Sequence, residues 1–199
     1  MPRKKYHHGD LKNALIQAGV EILSKEGLEG LSLRKVAQRA GVSHSAPYSH
    51  FPDKQSLIAA ISTEGFNQLY TELDAAVSPH AGDPKRQLLE GTCAYTRFAL
   101  DHTDTFKIMF SGALEKEKEY PALVGISQKT FERVVNIVRA CQAAKVLSSG
   151  EPEVIAVAVW GQVHGIVWLM LEGQISHTVL EHQSVEEIVS FAIEQMTLT

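Results

Sequence analysis

Hydrogen-bonding side chains suited to an anionic partner cluster in residues 32–54. This segment reads Ser-Leu-Arg-Lys-Val-Ala-Gln-Arg-Ala-Gly-Val-Ser-His-Ser-Ala-Pro-Tyr-Ser-His-Phe-Pro-Asp-Lys. Lysine and protonated histidine donate hydrogen bonds to phosphate oxygens, and serine and tyrosine hydroxyls also reach them. Side chains of these types suit contact with a polyanion.

A second group of side chains, in the C-terminal half, suits an apolar ligand. Trp160 and His164 are four residues apart and Trp168 continues the spacing, so the three share one face of a helix. His164 and Gln162 would supply the few polar groups that orient a ligand in an otherwise apolar cavity. The alternative is that Trp160 and His164 are ordinary core residues. The predicted ligand-binding set is Tyr95, Phe98, Met109, Phe110, Phe131, Trp160, His164 and Trp168.

Catalytic and metal-binding motifs are not found in the sequence. It contains no Gly-x-Ser-x-Gly, phosphate-binding loop, His-Glu-x-x-His or Cys-x-x-Cys. We therefore expect neither an enzyme nor a cofactor or metal site. Cys93 and Cys141 form no disulfide framework, which favours a reducing cytosol.

Charge is distributed unevenly along the 199 residues, whose net charge is −4. Residues 1–60 contain nine Lys/Arg and five Asp/Glu, a net charge of +4, and residues 61–199 have a net charge of −8. A composition of 44% hydrophobic and 21% charged residues excludes fibrous and wholly disordered proteins. A basic end on an acidic body indicates that one end meets a polyanion.

Helical periodicity dominates the chain and predicts an all-α fold of about nine helices. Residues 1–52 are expected to form a three-helix head and residues 53–199 a larger bundle. The uncharged stretch Val154–Leu171 is just long enough to span a membrane, but a soluble helix buried on all sides is favoured because Gln162 and His164 lie at its middle. The predicted helices cover 11–27, 32–40, 45–50, 53–77, 84–102, 104–113, 121–146, 152–172 and 184–197.

Two short helices joined by a tight turn are predicted in residues 32–50. Ala37 is small where the helices would touch, and Gly41 can adopt the left-handed conformation that the turn needs. This is a helix-turn-helix, whose second helix can enter a major groove. Its Leu-x-Leu-Arg-x-Val-Ala-x-x-Ala-Gly-Val-Ser and Tyr-x-His-Phe-x-x-Lys patterns resemble the DNA-binding domain of the TetR family of bacterial transcriptional regulators.

The resemblance implies a homodimer whose C-terminal domain binds a ligand that controls DNA binding. It places His44, Ser45 and Ala46 against bases. Because Ser45 and Pro47 depart from the commonest family pattern, and proline is tolerated only in a first helical turn, the recognition helix is expected to begin at Ser45 or Ala46. Phosphate contacts are expected from Ser43, Tyr48, His50, Lys54, the helix-capping Ser32, and the N-terminal arm Arg3, Lys4 and Lys5.

The Trp160-x-x-x-His164-Gly165 run resembles a TetR subgroup with this motif in its regulatory domain. Family resemblance also places the dimer interface on the last two long helices, 152–172 and 184–197. Helical glycines cost stability unless another helix approaches closely, so Gly161 and Gly165 are predicted at this interface, with close packing inside one chain as the alternative. The remaining predicted interface residues are Ile188, Val189 and Ala192.

These features together predict a cytoplasmic, ligand-responsive repressor that binds a palindromic operator as a dimer and has no membrane partner. The effector is expected to be apolar or aromatic. It would act by tilting the helix 53–77, in which Gly65 is a candidate soft point. A helical interaction protein or an activator, without ligand-controlled operator binding, is the alternative.

Overall fold

The computed structural model describes residues 8–115 and 117–198, and all regular secondary structure in that part of the chain is helical. The predicted all-α class is therefore confirmed. Short 3₁₀ turns cover Ala46–Ser49, Ser78–His80 and Glu117–Glu119. The α-helices are α1 His8–Gly30, α2 Leu33–Arg39, α3 Lys54–Val77, α4 Pro84–Asp101, α5 Thr103–Met109, α6 Pro121–Ala143, α7 Pro152–Leu171, α8 His177–Leu180 and α9 Val185–Glu194.

The chain divides into two compact units, and the division differs from the predicted boundary after Pro52. The first unit holds the chain up to Gly65 together with Asp104–Val124, and the second holds Phe66–Thr103 and Gly125–Thr199. Helix α3 is thus shared between the units, and α5 belongs to the first.

The first unit has a small hydrophobic core built by α1, α2 and the first half of α3. Leu15, Val36, Leu57 and Ile61 are fully buried there, and Phe51 is 2% exposed. Burying large apolar side chains in this way stabilises the unit by roughly 1.5–3 kcal/mol for each. The core therefore fixes the short segment between α2 and α3 on a rigid base.

Ser32 and Asp53 precede helices of this unit as predicted, whereas the first helix does not end at Gly27 as predicted but bends there and continues to Gly30. Ser32 caps α2, because its Oγ accepts the Lys35 amide at 3.3 Å. Asp53 precedes α3, and its Oδ1 accepts the Ser56 amide at 2.7 Å. Gly27 has φ +67° and bends α1 before it ends at Gly30. A side chain is strained at that φ, which is why glycine stands there.

The second unit packs α7 and α9 against each other and both against α4. Its core is formed by apolar side chains that are buried on each of these helices and on α6. They are Phe98, Val135, Val138, Ala156, Val159, Val163, Val167, Val189 and Ile193.

Three helix predictions need correction. The segment predicted as a helix over 45–50 is a single 3₁₀ turn, because it has too few residues before Pro52 to complete an α-helix. The break predicted after Gly173 contains the one-turn helix α8. Helix α7 is not buried on all sides: it is long and apolar enough to cross a membrane, but only 22% of its apolar stretch is buried.

Gly65 lies where α5 packs closely on α3, so this position is not the soft point that the sequence suggested. A Cβ atom built there would lie 2.5 Å from Met109 Sδ and 2.7 Å from Thr105 Cγ2. Real Cβ atoms do not approach that closely, so glycine at this position allows α5 to pack directly on the α3 backbone.

Candidate functional site

The segment from α2 to α3 forms a compact helix-turn unit. Gly41 adopts φ +69°, and the Val42 amide donates to the Ala37 carbonyl at 3.0 Å. Ala37 is completely buried, because the next segment crosses α2 at this point. The turn predicted from Ala37 and Gly41 is therefore present.

The second arm of this unit begins where the sequence predicts. Ser45 precedes the 3₁₀ turn Ala46–Ser49, and Pro47 lies in its first positions. Pro47 is buried, so it anchors the arm on the core. Ser43, His44 and Ser45 are exposed ahead of the turn.

Tyr48 is the most accessible aromatic residue of this arm. Its side chain is 59% exposed, which is unusual for a large ring in a packed unit. Ala46 is half-buried. The structure therefore brings the predicted contacts at residues 43–46 and Tyr48 onto one segment, in which all but the half-buried Ala46 are exposed.

Lys54 and His50, both predicted to contact phosphates, lie in environments that the sequence did not reveal. The Lys54 Nζ atom donates to the Leu28 carbonyl at 2.6 Å and so ties α3 to the end of α1. His50 Nε2 is buried with no hydrogen-bond partner within the described residues, and its ring lies 6.3 Å from that of Phe51.

Part of the positive charge of the head is neutralised within it. Lys35 pairs with Glu26, and Arg39 pairs with Glu21, each linking α2 to α1. A count of charges along the sequence cannot reveal such pairs. The predicted arm residues Arg3, Lys4 and Lys5 lie outside the described residues.

The second candidate site is an aromatic and histidine cluster between α4, α6 and α7. The Trp160 indole N–H donates to Tyr95 Oη at 3.1 Å, and Tyr95 Oη is 2.7 Å from His164 Nδ1. The His164 ring stacks on Trp168 at 5.7 Å, and Phe131 lies 6.3 Å from Trp160. Five of the eight predicted ligand residues are thus brought together.

Burial favours the neutral forms of the two ionisable groups of this cluster. It raises the pKa of the Tyr95 hydroxyl far above its ordinary value, although the hydrogen bond from Trp160 acts in the opposite direction. It lowers the pKa of His164 below 6.5. Near neutral pH the cluster therefore offers uncharged hydrogen-bonding groups inside aromatic walls.

The other three predicted ligand residues lie elsewhere. Phe98 is completely buried on α4, with its ring 5.2 Å from that of His102. Met109 and Phe110 lie at the end of α5 in the first unit, where Met109 approaches Gly65 and Phe110 contacts Phe106 at 5.0 Å. Periodicity alone did not separate these packing roles from ligand contact.

Helices α7 and α9 present apolar side chains on the surface of the second unit. On α7, Val154, Val157 and Leu169 are 45–67% exposed, and on α9 Phe191 is 63% exposed. Among the described residues, a Cβ built at Gly161 or Gly165 would meet nothing within 4 Å. The alternative that a helix of the same chain approaches these glycines closely is therefore wrong.

The predicted interface residues of α9 divide between two faces. Val189 is completely buried in its own chain, so its prediction as a dimer contact is wrong: it packs in the core. Ile188 and Ala192 are half-buried, and the sequence missed the exposed Phe191 beside them. Within residues 8–115 and 117–198, no group of three or more His, Cys, Asp or Glu side chains could hold a metal ion.

Two protein-family models match this chain. One is described as bacterial regulatory proteins, tetR family, and matches residues 15–61. The other is described as tetracyclin repressor-like, C-terminal domain, and matches residues 88–196. The two matches fall on the helix-turn unit and on the region that holds the aromatic cluster.

Curated relatives share part of the chain. The tetracycline repressor protein class C of Escherichia coli is 32% identical over 98 residues, which are 49% of this chain and 43% of the relative. The chain thus spans less than half the length of this relative. The HTH-type transcriptional regulator AcrR of Shigella flexneri is 27% identical over 159 residues, 74% of this chain and 72% of the relative.

Solved structures match nearly the whole chain. A protein with unknown function from Rhodococcus sp. RHA1 has a TM-score of 0.82 and 32% identity, covering 98% of this chain and 97% of its own. The TetR family transcriptional regulator PfmR from Thermus thermophilus has a TM-score of 0.71 and 20% identity, covering 92% and 96%, and shares the fold.

Proposed function

The chain belongs to the TetR family of bacterial regulatory proteins, and we propose that it is a cytoplasmic transcriptional repressor and not an enzyme. On this proposal it binds double-stranded operator DNA as a homodimer, and a small molecule releases it from the DNA. One observation carries the proposal. The second arm of the helix-turn unit holds hydrogen-bonding residues 43–45 and Tyr48 exposed, while Pro47 anchors it on the core. A rigid arm of this kind can be inserted into a major groove without further folding.

On this proposal the arm divides its contacts by chemistry. His44 and Ser45 offer polar groups to base edges, and the Ala46 methyl suits a thymine methyl group. The Ser43 and Tyr48 hydroxyls donate to phosphates and fix the register of the arm on the duplex. His50, Lys54 and Ser32 are closer to the core and would support these contacts at its edge.

We assign the exposed apolar face of α7 and α9 to the dimer. Its side chains include Val157, Leu169 and Phe191, and the two glycines of α7 leave a flat surface on which a second copy can pack closely. A second copy fits this face because a helix-turn-helix dimer must hold two reading arms about one DNA turn apart, ~34 Å.

The effector on this proposal is a neutral aromatic or apolar compound that binds beside Tyr95 and His164. The aromatic walls supply apolar contact, and the uncharged hydroxyl and imidazole orient a polar substituent. No Lys or Arg stands in residues 146–199, so this half of the body does not favour an anion. The Trp160-x-x-x-His164-Gly165 motif would then mark a subgroup defined by this site.

The effector needs only to prefer one conformation of the protein to change its affinity for DNA. Helix α3 is the natural carrier of that change, because its residues are shared between the two compact units. A matched pair of compounds tests the ligand class: in calorimetric titration naphthol should bind and naphthoate should bind at least tenfold more weakly. Equal affinities, or tighter naphthoate binding, would contradict the neutral site.

A gel shift with the DNA upstream of the protein's own gene tests the proposed function as a whole. We expect a shift at low salt that is lost on adding naphthol, and a stoichiometry of two chains to one site. Absence of a shift at low salt would contradict operator binding and favour an interaction protein. A shift that naphthol strengthens would favour ligand-dependent DNA binding over release.

A further inference from the structure

Trp160 belongs to two surfaces that the proposed function treats separately. Its indole N–H donates to Tyr95 Oη inside the aromatic cluster. Its ring is nevertheless 37% exposed, and it lies between Val157 and Gly161 on α7, both of which are exposed. One side chain therefore takes part in the ligand site and forms the edge of the apolar face.

The positions of residues around α7 explain why Trp160 contributes to both the aromatic cluster and the apolar face. Residues 156, 159, 163 and 167 point into the core, and residues 154, 158, 161, 165 and 169 lie on the opposite, accessible side. At about 100° for each residue, Trp160 and His164 fall on the flank between these two faces. A copy seated on the accessible side would abut the exposed part of the Trp160 ring.

The hydrogen bond to Tyr95 fixes the orientation of that ring. An indole N–H can only donate, so Tyr95 Oη must be the acceptor. The same oxygen is 2.7 Å from His164 Nδ1, which completes a chain of three side chains from the edge of the apolar face to the middle of the cluster. A ligand that donates a hydrogen bond to Tyr95 Oη competes with the Trp160 indole N–H for that oxygen.

We propose that Trp160 couples the aromatic site to dimerisation: the Trp160–Tyr95 hydrogen bond holds the ring in the orientation that a second copy requires, and an effector that engages Tyr95 weakens the dimer. This inference rests on the proposed dimer. The coupling is reciprocal, because two sites that share one conformational element change each other's affinity by the same factor.

Sedimentation equilibrium of three full-length variants tests the coupling without a ligand. Tyr95→Phe removes the acceptor, and Trp160→Phe removes the donor but keeps an apolar ring. Each should weaken dimerisation by about tenfold, since each of the two copies must then order the ring at position 160 on association. The double variant should be no weaker than either single variant, because both changes remove the same interaction. Tyr70→Phe is the control, because Tyr70 packs under Lys129 on another part of the unit.

Tryptophan fluorescence supplies an independent measurement. The chain has two tryptophans, Trp160 and Trp168, and both lie in this cluster. Emission of the wild-type protein should change on dilution with the midpoint that sedimentation gives for the dimer. A wild-type monomer at all concentrations would overturn the proposed dimer itself. If the wild type is a dimer but the dissociation constants of both single variants differ from its value by less than twofold, the coupling alone is overturned. The same conclusion follows if the tryptophan emission of the wild-type dimer does not change on dilution.

Discussion

The sequence predicts one role, phosphate contact, for Tyr48 and Lys54, but the two side chains have different surroundings. Tyr48 is 59% exposed, whereas the Lys54 ammonium donates a hydrogen bond to the Leu28 carbonyl near the end of α1. A residue that only contacts DNA can be changed without loss of stability. A residue that also joins two helices cannot, so the two roles can be separated by measurement.

We expect Tyr48→Ala to weaken DNA binding by roughly tenfold, since one hydrogen bond to a charged phosphate is lost. Its free energy of unfolding should stay within about 0.5 kcal/mol of wild type, as for other exposed positions. Tyr48→Phe, which keeps the ring, is the matched control for the hydroxyl. Urea unfolding and gel shift together make the comparison, and a large loss of stability in Tyr48→Ala would contradict its exposed placement.

We expect Lys54→Met to lower the free energy of unfolding by about 1 kcal/mol and to weaken DNA binding as well. The Leu28 carbonyl would lose the shorter of its two hydrogen bonds and keep the one from the Leu31 amide at 3.3 Å, while the apolar stem of the side chain would be preserved. Lys12→Met is the control for charge, because Lys12 is exposed on α1 and belongs to the same unit. Equal stability of both variants would show that the bond to Leu28 contributes nothing.

The neutral state of His164 predicts a pH dependence of stability. Burial lowers its folded-state pKa below the ordinary value of 6.5, so the unfolded chain binds more protons once the pH falls below about 6.5. The His164 contribution to stability is complete above that pH and is lost as the pH falls. The difference in unfolding free energy between wild type and His164→Gln should therefore shift against wild type between about pH 7 and pH 5. A constant difference would contradict the burial effect.

At the scale of elements, the sequence predicts what local rules determine and misses what packing determines. Asp53 as a cap and the apolar period of the following residues place α3 within one residue of its observed start, Lys54, and at its observed end, Val77. Helix α8 was missed because a four-residue helix has no period to detect. The sequence predicts the exposed side of α7 as buried, because hydrophobicity does not distinguish a core face from an exposed apolar face.

The candidate sites show the same division. The serine, histidine and tyrosine residues of the arm, and the spacing of Trp160 and His164, were visible in the sequence. The Tyr95–His164 hydrogen bond was not, since the two residues are 69 positions apart. The apolar character of Met109 predicts a ligand contact, yet its side chain fills the space that Gly65 leaves on α3.

That contact gives a prediction for the packing of α5 on α3. Gly65→Ala should gain about 1 kcal/mol of helix propensity but lose about 1–3 kcal/mol to crowding, a net loss of stability. Thr105 is the stiffer neighbour, because its branched side chain has few rotamers in a helix, whereas Met109 can move. The variant Gly65→Ala/Thr105→Ser should therefore recover part of the loss in thermal unfolding. A stabilised Gly65→Ala would show that α5 yields freely.

The flat part of α7 predicts where a dimer can be broken. Gly161→Arg places a charged side chain in the middle of the apolar face and should convert the proposed dimer to a monomer in light scattering after size exclusion. Gly125→Arg is the matched control, because Gly125 is also an exposed helical glycine, and no described residue lies within 4 Å of an added Cβ there. If both variants remain dimeric, the interface lies elsewhere. If both become monomeric, the effect is one of folding.

At the scale of the whole molecule, DNA binding depends on the Lys and Arg side chains that are not already in ion pairs within the protein. Residues 1–60 contain nine Lys/Arg, and two of them, Lys35 and Arg39, are paired with Glu26 and Glu21. An acidic body, with a net charge of −8 over residues 61–199, is repelled by phosphates and favours approach by the head. Arg3, Lys4 and Lys5 therefore represent a large share of the remaining positive charge.

Replacing these three residues with alanine should reduce the salt dependence of DNA binding more than any other change in the head. Each phosphate neutralised contributes about 0.9 to the slope of log affinity against log salt concentration, so six contacts in a dimer contribute about 5. Titrations at several salt concentrations measure this slope. Glu21→Gln/Glu26→Gln is the reciprocal variant: releasing Arg39 and Lys35 from their partners should steepen the slope. An unchanged slope in the triple alanine variant would show that the arm stays away from the duplex.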